Sequence, residues 1–191
     1  DNEVFVAYVN MVGGQDELVF DGASMVVNPL GEVVARGGQF EEELIVADLE
    51  VTRPERPRSH AGRDAEGKPS TKADSPVVEV SGYSADSDKP SIPQRRPVLY
   101  DETGEVYAAL VLGTKDYVKK VGFGQVLVAM SGGIDSSLVA TVAVDALGRE
   151  NVVGVAMPSR FSSEGSVLDS MALAENLGIE LKTIPIEAPF S

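Results

Sequence analysis

Five apolar residues, Val126-Leu127-Val128-Ala129-Met130, run into Ser131-Gly132-Gly133 and at once into Ile134-Asp135-Ser136-Ser137-Leu138. That order predicts a buried-type strand, a tight glycine turn and a helix starting near Asp135. Glycines let the backbone turn sharply and approach a ligand with no Cβ in the way. The first N–H groups of a helix have no partner within it and stand at the positive end of its dipole. Such a loop is shaped for a phosphate group, and Ser131, Ser136 and Ser137 offer hydroxyl donors. A carboxylate beside phosphate is repulsive unless a cation stands between them. Asp135 therefore points to Mg²⁺ shared with pyrophosphate oxygens. A helix cap by Asp135 or Ser136 is the plainer alternative for those two side chains.

Two commoner phosphate loops are excluded. A Walker loop needs a Lys that reaches the outer phosphates, and none stands between Ser131 and Ser137. The dinucleotide Gly-x-Gly-x-x-Gly fingerprint is absent as well.

The elements that would position this loop follow from the change of apolar period along the chain. From Glu102, Val106, Leu110, Tyr117 and Val121, joined by Tyr107, Val111 and Val118, predict a helix that Gly122-Phe123-Gly124 ends. After Val126–Met130 come a helix at Asp135–Leu147, a strand at Val152–Met157, a helix at Ser166–Leu177 closed by Gly178, and a strand at Ile179–Ile186. Alternation at this spacing predicts α/β structure with a doubly wound parallel sheet.

The N-terminal stretch reads differently. Val4–Val9 is strand-like; Ser24–Asn28 and Glu32–Arg36 form a hairpin around Pro29-Leu30-Gly31; Leu44–Leu49 is a further short apolar run. Gly13-Gly14 and Asp21-Gly22 read as turns. Asp16-Glu17 is either an acid/base pair or, more simply, a solvent-facing loop. Between these parts, residues 52–98 hold seven of the 11 prolines and little periodic apolar content, which predicts an extended linker. The resulting division is 1–51, 52–98 and 99–191. The chain starts at Asp1 with no initiating Met, and both ends read as cuts within a longer polypeptide.

Composition narrows the partners. Thirty acidic residues against 16 basic give a formal charge of −14, which disfavours nucleic acid and anionic lipid. There is no Cys, hence no disulfide, thiolate metal site or Cys nucleophile in these residues. No apolar run approaches the roughly 20 residues of a membrane span. A cytoplasmic setting is the expectation.

Ser131-Gly132-Gly133-Ile134-Asp135-Ser136 resembles the signature of the PP-loop ATP pyrophosphatases. That family cleaves ATP between the α and β phosphates and adenylates a substrate. The flanks are similar to one branch, the glutamine-dependent NAD synthetases. These flanks are Glu105–Gly113 with Asp116-Tyr117-Val118, Val153–Ser163, and Asp169-Ser170 through Leu177-Gly178-Ile179. Tyr8-Val9-Asn10 and Gly13–Gly22 look like the nitrilase-type glutaminase of the same branch. The resemblance implies a PP-loop sheet at the C-terminal side and the last strands of a nitrilase-like α/β sandwich at the N-terminal side. It implies ATP and Mg²⁺ as the nucleotide and metal, deamido-NAD and glutamine as substrates, and a homo-oligomer.

By that resemblance Ala129, Met130, Ser131, Gly132, Gly133, Ile134, Asp135, Ser136 and Ser137 bind the nucleotide, Asp135 holds the metal, and Arg160 lies near ATP. Taken alone, Arg160 reads equally well as a solvated loop charge. The glutaminase of this family uses a Glu-Lys-Cys triad; with no Cys here, no catalytic residue is carried over. The strand enters the loop through Ala129-Met130 where the family pattern leads one to expect Gly-Leu. Other readings are a different PP-loop ligase, such as a GMP synthetase, or a nucleotide-binding fragment without turnover.

Overall fold

The computed structural model describes residues 3–50, 91–93 and 97–186. Val126–Met130 (β6), Val152–Ala156 (β7) and Glu180–Thr183 (β8) form one parallel sheet in the order β6-β7-β8, with Met130 opposite Ala156 and Ala156 opposite Thr183. The crossovers are α2 (Ile134–Leu147) and α3 (Glu164–Leu177). A sheet advancing in one direction is one half of a doubly wound sheet, as the alternating apolar runs predict. Gly178, at φ +68°, ends α3 in the left-handed conformation that favours glycine. Helix α3 begins two residues before the predicted Ser166, because Ser163 caps it by accepting from the Ser166 N–H.

The core is a wedge between sheet and helices. Val128 and Met130 of β6 pack with Ala140 and Ala143 of α2, Val152 of β7, and Ala174 and Ile179. Gly154 of β7 makes room for Met130: a Cβ there would collide with Met130 Sδ and stand 3.0 Å from Leu181 Cδ1. Strand β6 is covered on one face only. Leu127 is 71% exposed, so an all-apolar strand is half-open within the described residues.

Helix α1 spans Glu102–Lys120 and is capped by Asp101, whose side chain accepts from the Gly104 N–H. Its buried stripe differs from the expected one. Val118 is buried and Tyr107 and Val111 half-buried, while Val106, Leu110, Tyr117 and Val121 are exposed. The sequence marked an apolar helix but not which of two adjacent apolar rows faces its neighbours. The Tyr107 hydroxyl donates to Asp145 Oδ2 at 2.5 Å, tying α1 to α2. That bond, then burial and the carboxylate charge, push the phenol up to about 12. Its proton is held more tightly in the folded state than at the ordinary value near 10. The contribution is therefore complete below about pH 10 and is lost as pH rises through about 12. Tyr107→Phe should destabilise by about 1 kcal/mol or less. A phenolate-absorbance titration compared with the parent should show the late-titrating tyrosine missing. A missing group that titrates near pH 10 instead would refute the bond.

In the N-terminal part, β1 (Val6–Tyr8), β4 (Met25–Val27) and β5 (Val33–Arg36) form an antiparallel sheet in the order β1-β4-β5. The β4–β5 turn is held by Asn28, whose Oδ1 accepts from the N–H groups of Leu30 and Glu32. A separate hairpin joins β2 (Val12–Gln15) to β3 (Leu18–Asp21). Here the structure corrects the sequence reading. Gly13-Gly14 is strand, paired with Phe20 and Val19, and the reversal falls at Asp16-Glu17. Asp16 takes φ +51°, and both acidic residues are exposed, which leaves no acid/base pair. The Leu44–Leu49 run is not a strand, and Leu44 is 87% exposed.

By internal packing, Val46–Pro93 separates from the rest as its own unit. Its described residues contain no helix or strand, and Asp48 Oδ2 accepts from the Ile92 N–H at 3.0 Å. The expected linker at 52–98 falls almost wholly on residues outside those described.

Candidate functional site

The loop leaves β6 at Met130 and enters α2 at Ile134, at the carboxyl end of a parallel strand where open α/β sheets bind ligands. Gly132 lies at φ +75°. A Cβ on it would collide with the Ser166 carbonyl oxygen and lie 2.7 Å from Ser166 Cα, so the loop rests on the first turn of α3. Glycine is thus required here by neighbouring backbone as well as by the turn.

The loop is braced internally by its serines. Ser136 Oγ accepts from the Ser131 N–H at 3.2 Å and donates to the Gly133 carbonyl at 3.0 Å; Ser137 Oγ donates to the same carbonyl at 2.9 Å. Ser131 Oγ lies 3.1 Å from Ser136 Oγ. A hydroxyl has one proton. The Ser137 N–H also donates to the Gly133 carbonyl, at 3.1 Å. With these bonds made, the donors left for an anion are the first backbone N–H groups of α2, from Ile134 to Ser136, rather than the hydroxyls expected from the sequence.

The helix start distinguishes the two roles left open for Asp135. The N-cap of α2 is Gly133, which supplies no side-chain cap bond, and Asp135 lies in the first helical turn. Asp135 is therefore not the cap. Its carboxylate is exposed beside an uncapped helix end. Among the described residues no group of three or more His, Cys, Asp or Glu could hold a metal.

A cleft of about 360 Å³ opens beside the loop. Ala129, Met130 and Ser131 line it on the β6 side, with Ala156 and Met157 from the end of β7. Gly132, Gly133, Ile134, Asp135, Ser136 and Ser137 form the adjoining loop and helix turn without lining the cleft. Arg160 does not line it either. Its guanidinium sits 5.3 Å from the ring centroid of Phe161, which does. The resemblance also implies that the Pro158–Ser163 turn covers the nucleotide, and Pro158, Phe161, Ser162 and Ser163 do line the cleft; the sequence reading missed the continuation of that wall, Ser166 and Ser170 of α3. The available signal was Ser163-Glu164-Gly165-Ser166, a capping pattern directly ahead of an apolar helix. Ser166 Oγ lies 2.8 Å from Ser163 Oγ, and Ser170 Oγ donates to the Ser166 carbonyl at 2.9 Å.

A parallel sheet with a glycine loop at its strand ends, next to a separate antiparallel part, defines a two-part α/β protein. Residues 106–191 match the NAD synthase family and residues 1–55 the carbon–nitrogen hydrolase family. Relatives that match along nearly the whole chain are glutamine-dependent NAD⁺ synthetases, and the chain is similar to a part of those proteins. It is 50% identical to the Aquifex aeolicus protein over 98% of this chain and 32% of that one. Identity to the Thermotoga maritima protein is 45%, over 100% of this chain and 32% of that one. A solved structure, the Acinetobacter baumannii glutamine-dependent NAD⁺ synthetase, is 33% identical with a TM-score of 0.68, over 98% of this chain and 29% of that one. The chain spans about a third of the length of these relatives. Among the described residues no helix is long and apolar enough to cross a membrane.

Proposed function

We propose that the cleft and loop form the ATP site of an AMP-forming ligase that amidates deamido-NAD to NAD with ammonia from glutamine. The observation that carries this reading is the uncapped start of α2 at Gly133, on a loop at the carboxyl end of β6 beside the cleft. The A. baumannii relative was solved with adenosine diphosphate, which supports an adenine nucleotide as the ligand class.

In the reaction, the substrate carboxylate attacks the α-phosphorus of ATP. The α–β bridge breaks and pyrophosphate leaves. Ammonia then attacks the acyl-adenylate, giving the amide and AMP. The backbone N–H groups at the start of α2 hold the pyrophosphate and stabilise the charge that develops on it. Ala129 and Met130 shape the floor of the nucleotide cleft, and Ser131, Ser136 and Ser137 keep the loop rigid. Asp135 would hold Mg²⁺, which would supply positive charge against the phosphates. Arg160, paired with Phe161 on the turn after β7, adds positive charge at the cleft edge. No general base is assigned in these residues. A cytoplasmic homo-oligomer belongs to the same reading.

The test uses a polypeptide of the relatives' length carrying these residues, supplied with ATP, Mg²⁺, deamido-NAD and either glutamine or ammonium. AMP, pyrophosphate and NAD should form in equal amounts. ADP and inorganic phosphate as products, or turnover only with a nucleotide other than deamido-NAD, would overturn the assignment.

A further inference from the structure

The β2–β3 hairpin lies in the stretch matching the carbon–nitrogen hydrolase family, and Gly113 to Lys120 of α1 in the stretch matching the NAD synthase family. The two are joined through one backbone unit. Gly14 donates its N–H to Asp116 Oδ2 at 2.7 Å, and its carbonyl accepts from Lys120 Nζ at 2.5 Å. The same ammonium is 3.4 Å from Gln15 Oε1. Asp116 and Lys120 are four residues apart, so they share one face of the helix.

The approach is tight on both sides, and any side chain there would press its neighbour back by a few tenths of an ångström. A Cβ on Gly14 would stand 3.0 Å from Gly113 Cα, one on Gly13 3.0 Å from Asp116 Oδ2, and one on Gly113 3.1 Å from Val19 Cγ2. A negative group meets the N–H and a positive group meets the carbonyl of a single residue. In a strand, neighbouring residues point these groups in opposite directions, so a slip by one residue would set each charge against the wrong dipole. The pair accepts one register. From there α1 passes to α2 through Tyr107 and Asp145, and α2 begins at the loop.

We propose that Asp116 and Lys120 are positioning residues that lock the hydrolase part onto α1 in one register, and so set its placement relative to the Ser131–Gly133 loop. This rests on the function proposed above. Neither side chain touches the cleft, so their loss should spare ATP chemistry fed with free ammonium and impair nitrogen delivered from glutamine.

Asp116→Ala and Lys120→Met are compared with the unaltered protein, in a polypeptide of the relatives' length, for NAD formation from glutamine and from ammonium. The glutamine-driven rate should fall roughly tenfold or more, the size of effect that misplacement by about an ångström produces, while the ammonium-driven rate stays within about twofold. Asp116→Asn and Lys120→Arg, which keep an acceptor and a donor, should restore most of the loss. If Asp116→Ala does not fold, Lys120→Met carries the same comparison, since it removes an exposed side chain. Variants that keep the parent ratio of the two rates, or lose both rates together, overturn the inference alone. An unaltered protein that makes NAD from neither source, or from ammonium only, overturns the proposed function and this inference with it.

Discussion

Gly132→Ala should weaken binding of ATP with Mg²⁺ on the order of a hundredfold. Two costs act together. Gly132 sits at φ +75°, where a Cβ costs roughly 1–2 kcal/mol against the following carbonyl. The same Cβ would strike the backbone of Ser166, which cannot turn aside as a flexible side chain would. Either the loop or the first turn of α3 must retreat, and both border the cleft. Gly122→Ala separates the two costs, because Gly122 has φ +81° with nothing within 4 Å of its Cβ position. That control should lose stability and keep affinity. Calorimetric titration of both variants with ATP and Mg²⁺ decides the matter. A folded Gly132→Ala protein that binds within about threefold of the parent would sink the proposed role of the loop.

Asp135→Asn should lower turnover on the order of a hundredfold or more, because in the proposed role it removes a negative charge that would hold a metal against a polyanion. Its effect on folding should be small. Gly133, not Asp135, stands at the cap, so no cap bond is lost. What disappears is a carboxylate favourably placed at the helix's positive end, worth about 0.3–1 kcal/mol. Pyrophosphate release with ammonium as nitrogen source reads the first quantity, and thermal unfolding the second. Near-parental turnover would exclude the metal role. A fall in turnover that tracks a large fall in melting temperature would make Asp135 a structural residue instead.

The parts of the fold that were legible in the sequence are those governed by local pattern. Val126–Met130 is a five-residue apolar run bounded by glycine loops, and its limits match β6 residue for residue. Gly178 and Gly148 end α3 and α2 at positive φ, as glycine after an apolar helix signals. The loop Ser131–Gly133 lies where the strand–glycine–helix order puts it. The misreadings all involve partners distant in sequence. Gly13-Gly14 looks like a turn by composition, but its glycines answer to Asp116 and Gly113, about a hundred residues away. The grip of Lys120 on Gly14 cannot be seen without the hairpin. The choice between the Val106/Leu110 row and the Tyr107/Val111 row of α1 was made by α2 and the hairpin. The Ser166 wall of the cleft went unnoticed for the same reason, since crossover packing brings it to the loop.

The missing cap on α2 also makes occupancy of the loop a term in the stability of the fold. Ser163 closes the start of α3 and Asp101 that of α1, whereas α2 begins on a glycine with no side chain to do so. A bound anion would supply the acceptors that a capping side chain gives elsewhere. The helix would then be best satisfied only when loaded, and each tenfold rise in saturating ligand would add about 1.4 kcal/mol to resistance against unfolding. Nucleotide supply would in this way govern how long the empty and loaded forms survive in a proteolytic environment, apart from anything it does for turnover.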